Sequence, residues 1–398
     1  MDVELGIDIA KEFHWAVAID EQGTVLIDRR VDNDPVAIDA LLTALAELAR
    51  AAGGTVTAGV DVLGGIAGLL IAMLHEAGIR CVYVPGLAVN RARRATVGGE
   101  NKSDPRDAKV IAEQVRTRGD LRPVELPDEL EVEIRLMVGR RRDLVADQTR
   151  RASRLRDLLT GIHPGLERVI DPTHKASLAL LSRYVTPAEI RRAGQRRIID
   201  YLIRSGVRRD HAEPLAAAAV TAAAAQHITV PGQRRTAELV RELAGELLAG
   251  RARVQTLDHE LAGLLERHPD AALIRSLPGM GATLTAEFLA EVGTISRFRS
   301  GDCLAAAAGL APVLNQSGKT RNLRRPSGGN KNLKRVFYQS AFCAIQRDPA
   351  SRAYYARKRA ERKRHHQALI ALARRRINVL HAILRTRQPY QPRGTQPA

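Results

Sequence analysis

The constraint that most narrows the fold is the order of patterned segments ahead of Pro85. Val3 to Ile9, His14 to Asp20 and Thr24 to Val31 are β-rich runs, the last two joined by the turn residues Glu21-Gln22-Gly23, and together they read as a three-stranded meander. Pro35 to Ala52 then has helical spacing, Thr55 to Asp61 is again β-rich, Gly65 to Ala77 is an apolar helix, and Arg80 to Pro85 is a further short strand. A meander followed by alternating helix and strand predicts an α/β unit with a mixed sheet.

That order resembles the ribonuclease H fold, in which the first strand and its neighbour, the fourth, each carry an acidic residue. Asp8 in Gly6-Ile7-Asp8-Ile9 and Asp61 at the end of its run occupy the matching places. Asp104-Pro105-Arg106-Asp107 adds two more carboxylates at the start of a helix predicted to reach about Arg116. A few convergent carboxylates on a rigid scaffold are what a hard, oxygen-preferring cation such as Mg2+ requires. Taken one at a time, these acids have ordinary uses. Asp8 with Lys11 fits a structural charge pair, or the opening of an actin-like phosphate loop; Asp61 fits a strand end before Gly64-Gly65; and Asp104 and Asp107 fit an N-cap and a first-turn acid. Their joint spacing favours a shared metal.

The charge is unevenly placed along the 398 residues, whose formal net charge is +18. Residues 1–100 hold 8 Lys and Arg against 14 Asp and Glu, whereas residues 301–398 hold 21 against 3. A basic rear quarter is the footprint of a polyanion binder, and an acidic front would repel phosphate unless a cation intervened. Cys81, Cys303 and Cys343 lack Cys-x-x-Cys pairing or nearby His at ligand spacing, which excludes a zinc or disulfide framework and fits a reducing cytoplasm. The longest apolar run, Val62 to Leu74, is too short and Gly-rich to span a membrane.

Between the two ends, Asp128 to about Leu159 and the segment from Pro231-Gly232 to about His268 read as long helices that could pair antiparallel around a helical insert at about 161–231. Leu277-Pro278-Gly279-Met280-Gly281 before a helix resembles the hairpin of a helix-hairpin-helix element, where glycines let amides approach phosphate; an ordinary Pro-Gly turn is the alternative. Ser317 sits in a Gly-bounded loop with Lys319, Arg321, Arg324 and Arg325, ahead of a basic helix carrying Lys331, Lys334 and Arg335. A serine hydroxyl attacks only when a base takes its proton and cations stabilise the attacked group. On spacing alone Ser317, like Ser327 in Pro326-Ser327-Gly328-Gly329, fits a turn equally well. The tail carries Arg357-Lys358-Arg359, Arg362-Lys363-Arg364 and Arg374-Arg375-Arg376 beside Tyr354, Tyr355, His365 and His366, an arrangement that suits phosphate contact and stacking on bases.

In sequence these pieces resemble the DEDD-type insertion-sequence transposases, the group of insertion sequence one-hundred-and-ten, and their relatives the Piv-type DNA invertases. The resemblance implies a RuvC-like domain at 1–124, coiled-coil helices with the insert at 125–268, and a helical transposase domain at 269–390. It implies that Asp8, Asp61, Asp104 and Asp107 bind Mg2+, and that Ser317, in Gln316-Ser317-Gly318, forms a covalent link to DNA. Gly279, Gly281, Lys319, Arg321, Arg324, Arg325, Lys331, Lys334 and Arg335 would then contact nucleic acid. It further implies DNA partners at the element ends and the target, a noncoding guide RNA, and homodimers that pair into tetramers. The second acid departs from the pattern: it is glutamate in the family, and Asp61 is shorter by a methylene, or roughly an ångström of reach. Two other readings stay open on the residues alone: a RuvC-like metal-dependent nuclease or resolvase, and a catalytically inactive nucleic-acid-binding protein.

Overall fold

The meander expected from the first three runs is present. In the computed structural model, which describes residues 2–95, 100–317, 320–324 and 326–392, β1 (Val3–Ile9), β2 (Phe13–Ile19) and β3 (Val25–Asp32) are antiparallel neighbours. After α1 (Pro35–Ala52), β4 (Val56–Val60) returns parallel to β1, and after α2 (Gly68–Glu76), β5 (Arg80–Tyr83) lies parallel to β4. Following α3 (Gly86–Arg94) and α4 (Asp104–Thr117), the two-residue β6 (Arg122–Pro123) closes the edge and gives the order β3-β2-β1-β4-β5-β6. This is the mixed sheet that the segment order predicts, with β4 beside β1.

Side-chain alternation along β1 sorts its residues to two faces. Val3, Leu5, Ile7 and Ile9 enter a core with Ile38, Leu41 and Leu45 of α1 and Leu70 and Leu74 of α2. On the other face a Cβ added to Gly6 would stand 2.1 Å from the Ala108 carbonyl oxygen and 2.3 Å from the Ala112 amide nitrogen of α4. Gly59, which pairs with Gly6 across β1 and β4, is as crowded: its Cβ would meet Val115 Cγ2 at 2.4 Å. Two facing glycines therefore form a bed into which α4 sinks.

The chain divides into two compact units, Met1–Pro127 and Asp128–Ala398. In the second, α5 (Glu129–Ile162) is capped by Asp128 and packs against α10 (Gln233–Arg267). Ion pairs Arg267–Glu133 (3.1 Å), Arg141–Asp258 (2.5 Å) and Arg151–Glu246 (2.7 Å) fix the pairing as antiparallel, since one partner's number falls as the other's rises. The insert holds α6 (Pro164–Glu167), α7 (Lys175–Leu181), α8 (Pro187–Arg204) and α9 (Arg209–Ala224), sharing a core with Leu155, Leu159 and Ile162 of α5 and Ala237, Val240, Ala244 and Leu247 of α10. Thr186 and Glu189 form a reciprocal capping box at the start of α8, and Gly194 breaks that helix at φ 67°.

The rest comprises α11 (Ala271–Ser276), α12 (Ala282–Val292), α13 (Gly301–Ala307), the hairpin β7 (Val313–Ser317) and β8 (Thr320–Arg324), and α14 (Lys331–Arg347), α15 (Pro349–Ala360) and α16 (His365–Thr386). Its core stacks Phe288 edge-to-face on Phe337 at 5.9 Å and takes in Ile134 and Val138 of α5 and Leu261 and Leu265 of α10. The two long helices thus serve a separate core at each end. Among the described residues, no helix is long and apolar enough to cross a membrane.

Candidate active site

The parallel strands β1 and β4 bring Asp8 and Asp61 to one end of the sheet, and the glycine bed sets the start of α4 over the same region. Asp8 pairs with Trp15 across β1 and β2, while Asp61 follows directly after β4. Burial, then the negative charges of Asp61, Asp107 and Asp104, push the Asp8 carboxyl up to about 6. Asp61 is raised too, chiefly by burial, and its Oδ1 is buried without a hydrogen-bond partner. The positive charge of Lys102 opposes both shifts.

Of the alternative uses for the other two acids, the first-turn position of Asp107 is realised and the N-cap position of Asp104 is not. The N-cap of α4 is Ser103, one residue earlier than the sequence suggested, and Asp104 is already helical. Asp107 Oδ1 and Oδ2 accept hydrogen bonds from Arg93 Nη1 at 2.9 and 3.0 Å, and both residues are buried. Arg93 and Lys102 escaped the sequence reading, since one arginine among three on a basic helix and a lysine in a polar stretch carry no periodic signal.

The donors suit a hard cation. All four are carboxylates, and one buried oxygen lacks any partner. Among the described residues no three His, Cys, Asp or Glu side chains stand close enough to share one metal ion. The acids feel one another's charge at a distance, with Arg93 and Lys102 as the cations beside them.

Asp8 also carries a pH prediction. Its folded pKa lies above the usual 3.8, so the proton is bound more tightly in the folded chain, and the associated stability, present below pH 3.8, is lost as pH rises through 6. In EDTA, Asp8→Asn is therefore expected to stabilise the chain by roughly 1–2 kcal/mol above pH 6, with the gain vanishing towards pH 4. Thermal melts at several pH values read this directly, and a pH-independent difference would contradict it.

In the second unit Ser317 is not in a loop, as its flanking glycine suggested, but ends β7, paired with Thr320. Gly318 and Lys319, like Arg325, lie outside the described residues. The hairpin is bare, with Val313 52%, Leu314 47% and Leu323 70% exposed, and Ser317, Arg321 and Arg324 exposed as well. It projects from a stem where two backbones touch: a Cβ on Gly309 would meet Gly328 O at 2.6 Å, and one on Gly329 would meet Gly309 N at 2.5 Å. Below the stem, Asn330 caps α14 and donates to Glu291 Oε2 at 2.6 Å.

The other expected nucleic-acid contacts are mixed. Lys331 is exposed and Lys334 half-buried, but Arg335 is ion-paired at 2.6 Å with the buried Glu287. Gly279 has φ +83°, and its Cβ would meet Ser340 O at 2.5 Å, so packing against α14 by itself demands glycine there. Gly281, in contrast, opens α12 towards free space. Arg376, read from the sequence as one of a basic triplet, is buried; it donates to Ser340 Oγ at 2.7 Å and to the Pro278 carbonyl, and burial brings its guanidinium down to about 10. Arg374 is ion-paired with Asp302. The Tyr354 ring is already faced by Arg357, Lys358 and Arg375, and the Tyr355 hydroxyl lies 2.7 Å from His365 Nδ1, so neither aromatic is held in reserve for bases.

A family model described as a DEDD transposase matches residues 5–164, and one described as "Transposase IS116/IS110/IS902 family" matches residues 271–356. An uncharacterized 44.8 kDa protein of insertion element IS116 from Streptomyces clavuligerus is 44% identical, covering 98% of this chain and 96% of its own. The chain belongs to the IS110/IS116 family of DEDD transposases. The uncharacterized 42 kDa protein of IS900 from Mycobacterium paratuberculosis is 43% identical to the transposase over 99% of this chain and 98% of its own. A pilin gene-inverting protein of Moraxella bovis matches 35% of the transposase, and 46% of its own length, at 29% identity. The two family matches cover the carboxylates and the Ser317 hairpin respectively.

Proposed function

We propose that the transposase moves its element through a serine-linked DNA intermediate, with Ser317 as nucleophile and Asp8, Asp61, Asp104 and Asp107 as the Mg2+-binding acids. The observation that carries this reading is that Asp8, near the end of β1, feels the charge of Asp61, Asp107 and Asp104, with a buried Asp61 Oδ1 that has no hydrogen-bond partner among the described residues. Divalent metal, when bound there, would neutralise charge developing on the scissile phosphate. Ser317 Oγ attacks phosphorus, a serine–phosphate bond forms, and a deoxyribose hydroxyl leaves. The seryl proton passes to a base, for which the carboxylates of the first unit are the candidates. The link preserves the energy of the phosphodiester, so rejoining to a new strand needs only the reverse attack by a DNA hydroxyl.

An exposed hairpin suits this work because Ser317 and Arg321 both stand open to solvent on it. Arg321 and Arg324 beside it, with Lys331 and Lys334 on α14, are the cations that would hold the DNA backbone, with Lys319 and Arg325 completing the set. Arg335 belongs with them only if it leaves Glu287. Recognition of donor and target by a noncoding guide RNA, and assembly of homodimers into a tetramer that unites the two halves of the site, complete the reading. The test is to incubate the protein with element-end DNA and Mg2+, digest, and map any adduct by mass spectrometry. A nucleotide on Ser317 is expected; cut DNA with free 3' hydroxyl ends and no adduct would instead favour hydrolysis by metal-activated water.

A further inference from the structure

Among the described residues, Asp107 is the one acid of the four with an ion-pair partner, and that partner is buried with it. The side chains of Arg93 and Asp107 are each 9% exposed, and a single guanidinium nitrogen spans both carboxylate oxygens. Arg93 belongs to the last turn of α3, a helix carrying Arg91, Arg93 and Arg94 together, of which Arg93 is the buried one. The pair joins α3 to the first turn of α4, where the cluster begins.

Structural need explains such a pair poorly. Taking a guanidinium and a carboxylate out of water costs most of what their attraction returns, and apolar residues of the same volume often do as well. Asp8 and Asp61, half-buried at the adjoining ends of β1 and β4, bring further negative charge that acts together with that of Asp107. A fixed positive charge at that spot does for the empty cluster what a bound cation would do. Arginine suits the task because its charge does not titrate away.

We propose that Arg93 is a built-in counter-cation: it holds Asp107 while the carboxylates lack metal and competes with the incoming divalent cation for that acid. This rests on the reading of the four carboxylates as a metal site. Its consequence is that metal affinity is set below what the acids alone would give. An incoming cation meets a cluster carrying one positive charge already, and Asp107 shares its oxygens between guanidinium and metal. Without Arg93 the empty cluster repels itself more strongly, and the gain on binding metal is larger.

The probe is Mn2+ alone, titrated into the full-length protein, with free Mn2+ followed by electron paramagnetic resonance and Tm recorded in parallel. Arg93→Gln is expected to bind Mn2+ at least about ten-fold tighter than wild type. It should also show a lower Tm in EDTA and a larger Tm rise on adding Mn2+. Arg93→Lys, which keeps the charge, should stay near wild type. Equal or weaker Mn2+ binding by Arg93→Gln would overturn the proposal. If Arg93→Gln does not fold in EDTA, recovery of the folded chain by Mn2+ supports it and failure of Mn2+ to recover it overturns it. Asp8→Asn separates the two layers of the argument. Wild type that binds no Mn2+ defeats the metal-site reading and this proposal together, whereas binding lost in Asp8→Asn but unchanged in Arg93→Gln defeats this proposal alone.

Discussion

Replacing Ser317 with alanine is expected to cut recombination by at least about 1,000-fold, the scale of loss when a covalent nucleophile is removed. Binding of element-end DNA should stay within about two-fold of wild type. The contrast follows from where the residue sits. Ser317 is exposed at the end of β7, its hydroxyl makes no hydrogen bond among the described residues, and truncation to alanine opens no cavity. Folding and DNA contact therefore have nothing to lose, and any large effect belongs to chemistry. Ser327, also exposed and beside a glycine, is the control: Ser327→Ala should recombine normally. Full recombination by Ser317→Ala would end the serine mechanism.

The second large effect is one of fit. Gly6→Ala places a methyl 2.1 Å from a backbone oxygen of α4, and backbone cannot swing aside as a flexible side chain does. A destabilisation of roughly 3 kcal/mol or more is expected, at the upper end of overpacking costs. The lost stability would appear as an earlier unfolding transition in urea. Because α4 carries Asp104 and Asp107, its displacement should also weaken the Tm response to Mn2+. Gly68→Ala is the matched control, since a Cβ there meets nothing within 4 Å on a helical backbone; it should be neutral or slightly stabilising. Equal stability of Gly6→Ala and wild type would show that α4 does not bear on β1 as described.

How much of this was legible in the sequence depends on whether a feature leaves a periodic trace. Strands β1 to β5 and the helices between them were readable because alternation and turn residues mark them at fixed intervals. The long helices α5 and α10 were readable for the same reason, and their ends fell within a few residues of those expected. The acids Asp8, Asp61, Asp104 and Asp107 could be picked out because they fall at element ends. Arg93 could not, because its importance lies in a contact 14 residues away in sequence that charge alone does not foretell. The β7–β8 hairpin hid behind its composition: both faces are exposed, so Val313 to Ser317 lacks the alternation that betrays a half-buried strand. Arg376 misled in the opposite direction, since a run of three arginines reads as surface while one of them plugs the gap between α14 and the Pro278 turn.

The glycine crossing at the base of the hairpin has a mechanical consequence. The strands β7 and β8 are carried as a cantilever, anchored where the bare backbone of Gly309 meets that of Gly328 and Gly329 and where Leu310 is buried in the core. Its reach is thus decoupled from the helical body below it. Lengthening or shortening the arm by matched pairs of residues would move the Ser317 hydroxyl in steps of one strand pair while leaving the anchorage intact, and so would gauge how far from the helical body the proposed nucleophile has to stand.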